Sequence, residues 1–213
     1  MYIFDFDGTL MDTSAVILST IKATVKEMGL PERTDAQCRT IIGIRTDEAG
    51  HHLFPDAGID DAEFARVFRA NYARIRSNAH ERAFPGVIDT LCELHHRGKR
   101  MAIASSRRED SLHEYLGGLG IEGWFEMIVG AGSVSKGKPD PEPVLHILHR
   151  TGADARTTLV VGDADVDIIM GNRAGCMTCA VTYGNGSEEA LRQAHPTFIT
   201  GNFAELLNID PEL

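Results

Sequence analysis

Short apolar runs alternate with amphipathic stretches along most of this chain. YIFDF at 2–6, RMAIAS at 100–105, FEMIVG at 125–130, TLVVG at 158–162, MTCAV at 177–181 and TFIT at 197–200 are apolar on both faces, which suits strands of a parallel sheet covered on both sides. Helical patterns lie between them, from Pro85 to Arg97, Arg108 to Leu116, Pro141 to Arg150, Ala164 to Ala174 and Ser187 to Gln193. That βαβ rhythm predicts an α/β fold with a doubly wound, Rossmann-like parallel sheet.

The rhythm stops between Asp12 and Arg82, where helical patterns stand without a convincing strand. Ile17, Ile21, Val25 and Met28 line one helical face, and Phe64, Phe68, Tyr72 and Ile75 line another. Gly29 closes the first of these helices, and Ala83-Phe84-Pro85-Gly86 reads as the return hinge. The expectation is a core built from residues 1–12 and 83–213 that carries a helical insert at 13–82.

Composition narrows the choices. The 213 residues are 43% hydrophobic and 24% charged, the ordinary range for a globular protein with a buried core. Twenty-one Lys and Arg against thirty-one Asp and Glu leave a net charge of −10, so the averaged field repels nucleic acid and anionic membranes, and neither is expected as a partner. MYIFDFDGTL lacks the basic and apolar regions of a secretory signal, and no run of about twenty apolar residues suggests a membrane span. Four cysteines, Cys38, Cys92, Cys176 and Cys179, are too sparse for a disulfide framework, and a cytoplasmic location is expected. Cys176 and Cys179 form a C-x-x-C with no second pair to complete a zinc site, so they read as small buried thiols near a strand.

The candidate chemistry gathers where strands end. In extended chain alternate side chains share a face, so Asp5 and Asp7 of DFDGTL are expected to point the same way as the first strand ends, with Gly8 turning the backbone aside. An isolated D-x-D is more often a turn or a helix cap; its place after YIF and before GTL strengthens it. In LVVGDADVD, Asp163 ends a strand and Asp167 follows one helical turn later on the same side. With Asp5 these acids make an all-oxygen donor set without His or Cys, which favours a hard, hydrated cation, Mg²⁺ above all. Ser105 and Ser106 end the next strand in MAIASSRRED, where a hydroxyl and N–H groups can hold phosphoryl oxygens. SKGKPDPEPVL places Lys136 and Lys138 before a helix opened by Pro141.

In this order and spacing, DFDGTL, ASS, GKPDP and GDADVD resemble the four motifs of the haloacid dehalogenase superfamily. The resemblance spans the chain: the insert is similar to the helical cap of that family's first cap class, and VTYGNGSEEAL to the stretch after its last motif. It implies a Mg²⁺-dependent phosphatase, similar to phosphoglycolate phosphatases, that acts on a small phosphorylated metabolite. Asp5 would be the nucleophile that becomes a phospho-aspartate, and Asp7 the general acid and base. Asp163 and Asp167 would hold Mg²⁺ with Asp5 and the backbone carbonyl of Asp7, while Ser105 and Lys138 balance charge on the transferring group. Ser106-Arg107-Arg108 departs from the Asn-Lys or Gly-Lys of many relatives, which opens a substrate role for Arg107. Arg45, in the Gly43-Ile44-Arg45-Thr46 turn of the insert, is a candidate reader of an anionic leaving group. His51-His52 and His95-His96 stand with no strand-end acid and are expected at the surface or in packing, and Trp124 and Phe125 in the core. The rival readings are a phosphomutase like β-phosphoglucomutase, a pyrophosphatase, a phospho-accepting receiver and a non-catalytic binding protein.

Overall fold

The computed structural model describes residues 1–77 and 81–211, so residues 78–80 of the expected insert lie outside it. Among the described residues the strands are β1 (Tyr2–Phe4), β2 (Met11–Asp12), β3 (Arg82–Ala83), β4 (Met101–Arg108), β5 (Met127–Ala131), β6 (Leu159–Gly162), β7 (Met177–Val181) and β8 (Phe198–Thr200). β2 and β3 pair with each other, and the other six form one parallel sheet in the order β5-β4-β1-β6-β7-β8.

The strict two-residue alternation of these strands sorts their side chains onto two apolar faces. Tyr2 and Phe4 of β1, Met101 and Ile103 of β4, and Leu159 and Val161 of β6 share one buried cluster. There they meet Leu91 and Leu94 of α5 (Val87–His96), Leu112, Tyr115 and Leu116 of α6 (Glu109–Leu119), and Phe203 and Leu206 near the C-terminus. Ile3, Ala102, Ala104 and Val160 face the opposite way, onto Val144, Ile147 and Leu148 of α7 (Glu142–Thr151) and Met170 of α8 (Asp165–Arg173). Both faces are covered, which is why the runs are apolar throughout rather than alternating with polar residues. Leu191 of α9 (Glu188–Gln193) adds a smaller cluster with Ile168 and Ala180. Each fully buried Leu, Ile or Phe contributes about 1.5–3 kcal/mol of hydrophobic stabilisation.

The chain divides into two compact units, Met1–Met11 with Ala83–Leu213, and Asp12–Arg82. The second unit contains α1 (Ser14–Glu27), α2 (Asp35–Arg39), α3 (Ala49–Leu53) and α4 (Asp61–Arg76). The stripes read from the sequence meet in its core: Ile17, Ile21, Val25 and Met28 pack with Phe64 and Phe68, and Tyr72 stacks on Phe68 with centroids 6.1 Å apart. Its helices begin where side chains satisfy the free N–H groups. Thr34 and Gln37 form a reciprocal capping box at α2, and Asp60 accepts from Ala62 and Glu63 at α4. Among the described residues no helix is long and apolar enough to cross a membrane.

Sheet order places the chemistry. After β1 the chain fills positions on one side with β4 and β5, then returns to the other side of β1 with β6, β7 and β8. The reversal lies between β1 and β6, and ligands of open α/β sheets bind beyond the carboxyl ends of strands at such a point.

Candidate active site

Register delivers three of the expected residues to one sheet edge. Phe4 pairs with Ile103 on one side and Val161 on the other. Asp5 therefore stands one residue beyond the last common rung, and Ser105 and Asp163 two residues beyond it. Asp5 extends the ladder by donating its N–H to the Val161 carbonyl at 2.9 Å. Asp167 comes from the first turn of α8, where its Oδ2 accepts from the Ala164 N–H at 3.1 Å. Carboxylate oxygens of Asp5, Asp163 and Asp167 lie within 4.8 Å of one another, and all three residues are buried.

Among the described residues one ammonium enters this cluster. Lys138, from the loop between β5 and α7, puts Nζ 2.5 Å from Asp5 Oδ1 and 2.6 Å from Asp167 Oδ1, with 4% of its side chain exposed. Burial works against the Lys138 ammonium, but Asp167 and Asp5 outweigh it and raise its pKa, so the lysine is a fixed positive charge. Asp5 is pushed well above the ordinary carboxylate range by burial, with Asp167 and Asp163 adding to the rise and Lys138 opposing it. Burial and then Asp167 raise Asp163 to about 6, against hydrogen bonds from Asn185 and Thr9. Three carboxylates around one ammonium leave excess negative charge in a desolvated place. Asp167 Oδ1 is buried and faces the same Lys138 ammonium that Asp5 does, so one cation is shared between two carboxylates. An oxygen-only donor set with more carboxylates than ammonium groups fits a hard cation.

Asp163 is held by residues that the motifs alone did not single out. Thr9 Oγ1 donates to its Oδ1 at 2.9 Å, and the Asn185 N–H donates to its Oδ2 at 2.7 Å. The Tyr183 hydroxyl donates to the Thr9 carbonyl at 2.8 Å, which ties the loop after β7 to the loop after β1. Two glycines let these loops close on the aspartate. A Cβ on Gly8, which has φ +95°, would come 2.2 Å from Asp163 Oδ2, and one on Gly184 would come 2.3 Å from Asp163 Cβ. YGNG after MTCAV was the available signal, because paired glycines beyond a strand end mark a close backbone approach.

The sequence model of the haloacid dehalogenase-like hydrolases matches residues 2–181. The chain belongs to this family. A probable phosphatase, IndB, of Dickeya dadantii is 31% identical over 211 residues, covering 97% of this chain and 91% of that protein. A phosphoglycolate phosphatase of Yersinia pestis is 31% identical over 209 residues, covering 96% of this chain and 90% of its own length. The crystal structure of a predicted phosphoglycolate phosphatase from Haemophilus somnus superposes with a TM-score of 0.88 at 26% identity, covering 98% of this chain and 96% of the other. The haloacid dehalogenase-like core is thus present with its sheet order, and phosphatase is the activity that its relatives support.

Not every expected residue joins the acidic cluster. The Asp7 carboxylate belongs elsewhere: Arg107 donates to it through Nη2 at 2.5 Å and Nε at 2.9 Å. The two acids of DFDGTL, expected to share a direction, therefore serve different cations, because regular strand ends at Phe4 and the chain turns through Gly8. Ser105 is buried, and its Oγ accepts from the Arg107 N–H at 3.2 Å. Ser105 and the half-buried Ser106 lie inside β4 rather than at its end, in the irregular stretch where its ladder with β5 shifts register. Lys136 is exposed and faces Asp140 at 3.5 Å, outside the cluster. In the other unit, Arg45 holds Asp47 through two hydrogen bonds of 3.0 and 2.7 Å. His51 and His52 are exposed, with His52 Nδ1 2.8 Å from the Glu48 carbonyl oxygen. Trp124 packs beside the core with His95 stacked on it, and Phe125 is buried. Burial raises Cys176 and Cys179 to about 12, as inert packing thiols.

Proposed function

We propose that the protein is a Mg²⁺-dependent phosphatase of small phosphomonoesters, acting in the cytoplasm through a phospho-aspartate at Asp5. The observation that carries this reading is the buried Lys138 ammonium set between Asp5 and Asp167 in a cluster with charge left over for a divalent cation. Asp5, Asp163 and Asp167, with the backbone carbonyl of Asp7, would hold Mg²⁺. The ion supplies charge neutralisation that lets a carboxylate approach an anionic phosphoryl group.

The protein's own groups do the rest. The Asp5 carboxylate attacks phosphorus in line and forms the acyl-phosphate bond as the ester P–O bond breaks. Asp7 gives a proton to the departing oxygen, then takes one from the water that attacks the phospho-aspartate, releasing inorganic phosphate and restoring Asp5. Lys138 balances charge on the transferring group from a fixed position, and the Ser105 hydroxyl, beside Ser106, donates to its oxygens. Residues 13–82 act as a cap, with Arg45 reading an anionic leaving group once its guanidinium leaves Asp47. Phosphoglycolate or a similar small ester ranks ahead of pyrophosphate, and both ahead of nucleotides, supported by the relatives named phosphoglycolate phosphatase.

The test is phosphate release from a panel of small phosphorylated metabolites with and without Mg²⁺, run beside Asp5→Asn. Release that needs Mg²⁺ and is lost in the variant is expected. Release that survives Asp5→Asn, or that zinc supports and magnesium does not, defeats the assignment. Arg45→Ala should change selectivity between phosphoglycolate, pyrophosphate and sugar phosphates.

A further inference from the structure

The pairing of Asp7 with Arg107 is unused by the reaction described above, yet it is among the most constrained ion pairs in the molecule. One planar guanidinium engages both carboxylate oxygens, at 2.5 and 2.9 Å, across 100 residues of sequence. Such a fork fixes the plane of the carboxylate as well as its distance. The side chains of Arg107 and Asp7 are only 8% and 12% exposed, so solvent screens the pair weakly. Arg108 makes a similar fork to Asp110, but between neighbouring residues with exposed side chains, where solvent screens the pair.

Arg107 is itself anchored. Its Nη1 donates to Ser111 Oγ at 3.1 Å, and its guanidinium carbon lies 4.8 Å from the Tyr115 ring centroid and 5.5 Å from that of Phe6. Those rings are core residues in edge-to-face contact, with centroids 5.4 Å apart. Cation–π attraction and the Ser111 bond therefore tie the guanidinium to the rigid interior, and through it the Asp7 carboxylate.

We propose that Arg107 is a positioning residue for Asp7: the fork takes one lone pair of each carboxylate oxygen and leaves the second free to carry the proton that passes to the leaving oxygen, so that the transfer needs no rotamer search. The inference rests on the reading of Asp7 as the proton-transferring group. The hydrogen bond from Arg107 to Ser105 comes from its backbone N–H, so substitution of the side chain removes the fork and leaves that bond available. Lysine carries the charge but not the planar pair of donors, and does not replace it.

The experiment compares two leaving groups. An alkyl phosphate departs poorly and needs a proton, whereas 2,4-dinitrophenyl phosphate departs as a stable anion without one. With kcat/KM, which reports the steps through leaving-group release, Arg107→Met and Arg107→Lys should each lose about 10²-fold on the alkyl ester and less than about threefold on the dinitrophenyl ester. KM for the alkyl ester should move by less than about threefold, which separates lost positioning from lost binding. In an Asp7→Asn background, Arg107→Met should cost nothing further, since a residue acting through Asp7 has nothing left to position. The burst of dinitrophenolate counts folded, competent sites in every sample, so a folding defect is not read as a catalytic one. Equal losses on both esters, full rescue by lysine, or an undiminished loss in the Asp7→Asn background would overturn the proposal. If Asp7→Asn alone turned over both esters like the parent, the reading of Asp7 would fall and this inference with it. If Asp7→Asn discriminated between them and the Arg107 variants did not, only the inference would fall.

Discussion

Replacing Lys138 with methionine should unbalance the acidic cluster more than any other single change. The ammonium sits 2.5 Å from Asp5 and 2.6 Å from Asp167, almost wholly buried, and methionine fills similar volume without charge. Removing one partner of a buried pair typically costs about 3–5 kcal/mol, because the remaining charge has lost both water and counter-ion. At about 2–4 °C per kcal/mol for a chain of this size, the metal-free variant should melt about 6–20 °C below the parent at pH 8.

The pH dependence has a definite sign. Asp163 stands at about 6 in the fold against 3.8 ordinarily, so the folded state binds its proton more tightly than the unfolded state does. Its charge penalty is absent below about pH 4, grows as pH rises through 4–6 and is complete above that window. Lys138 lowers both Asp5 and Asp163, so its loss raises both further. The gap between variant and parent should therefore be widest at pH 8 and shrink toward pH 5, and Mg²⁺ at pH 8 should close part of it. Thermal melts monitored by circular dichroism, with chelator or Mg²⁺ at both pH values, read all of this. Melting within about 2 °C of the parent at pH 8 in chelator, or a gap that widens on acidification, would refute the charge argument.

Other consequences can be measured directly. Protons compete for both Asp163 and Asp5, so apparent Mg²⁺ affinity by isothermal titration calorimetry should weaken as pH falls from 8 to 5; a flat profile over that range would contradict the raised carboxylates. Gly8→Ala puts a methyl group 2.2 Å from Asp163 Oδ2 at φ +95°, and should cost at least about 1–3 kcal/mol in urea unfolding and weaken Mg²⁺ binding with it. Asp60→Ala removes the acceptor for two N–H groups at the start of α4 and should cost about 1 kcal/mol in the same assay.

Much of this protein is legible in its sequence. The period and double-sided apolarity of YIF, MAIA and LVV specify strands buried on both faces, and the stripes of Ile21, Val25, Phe64 and Phe68 specify helices that share a core. Strand-end placement also marks Asp5 and Asp163, and helical spacing adds Asp167, because carboxylates clustered beside apolar strands are costly without a cation. What the sequence leaves open is which strand neighbours which, since backbone ladders pair without regard to side chains. Only the order β5-β4-β1-β6-β7-β8 brings Lys138 to Asp5 across 133 residues and the loop after β7 onto Asp163. The parting of Asp5 from Asp7 is tertiary for the same reason. Two residues apart in the chain, they are directed to different cations by a turn at Gly8 and by a guanidinium that α6 and the aromatic core hold in place.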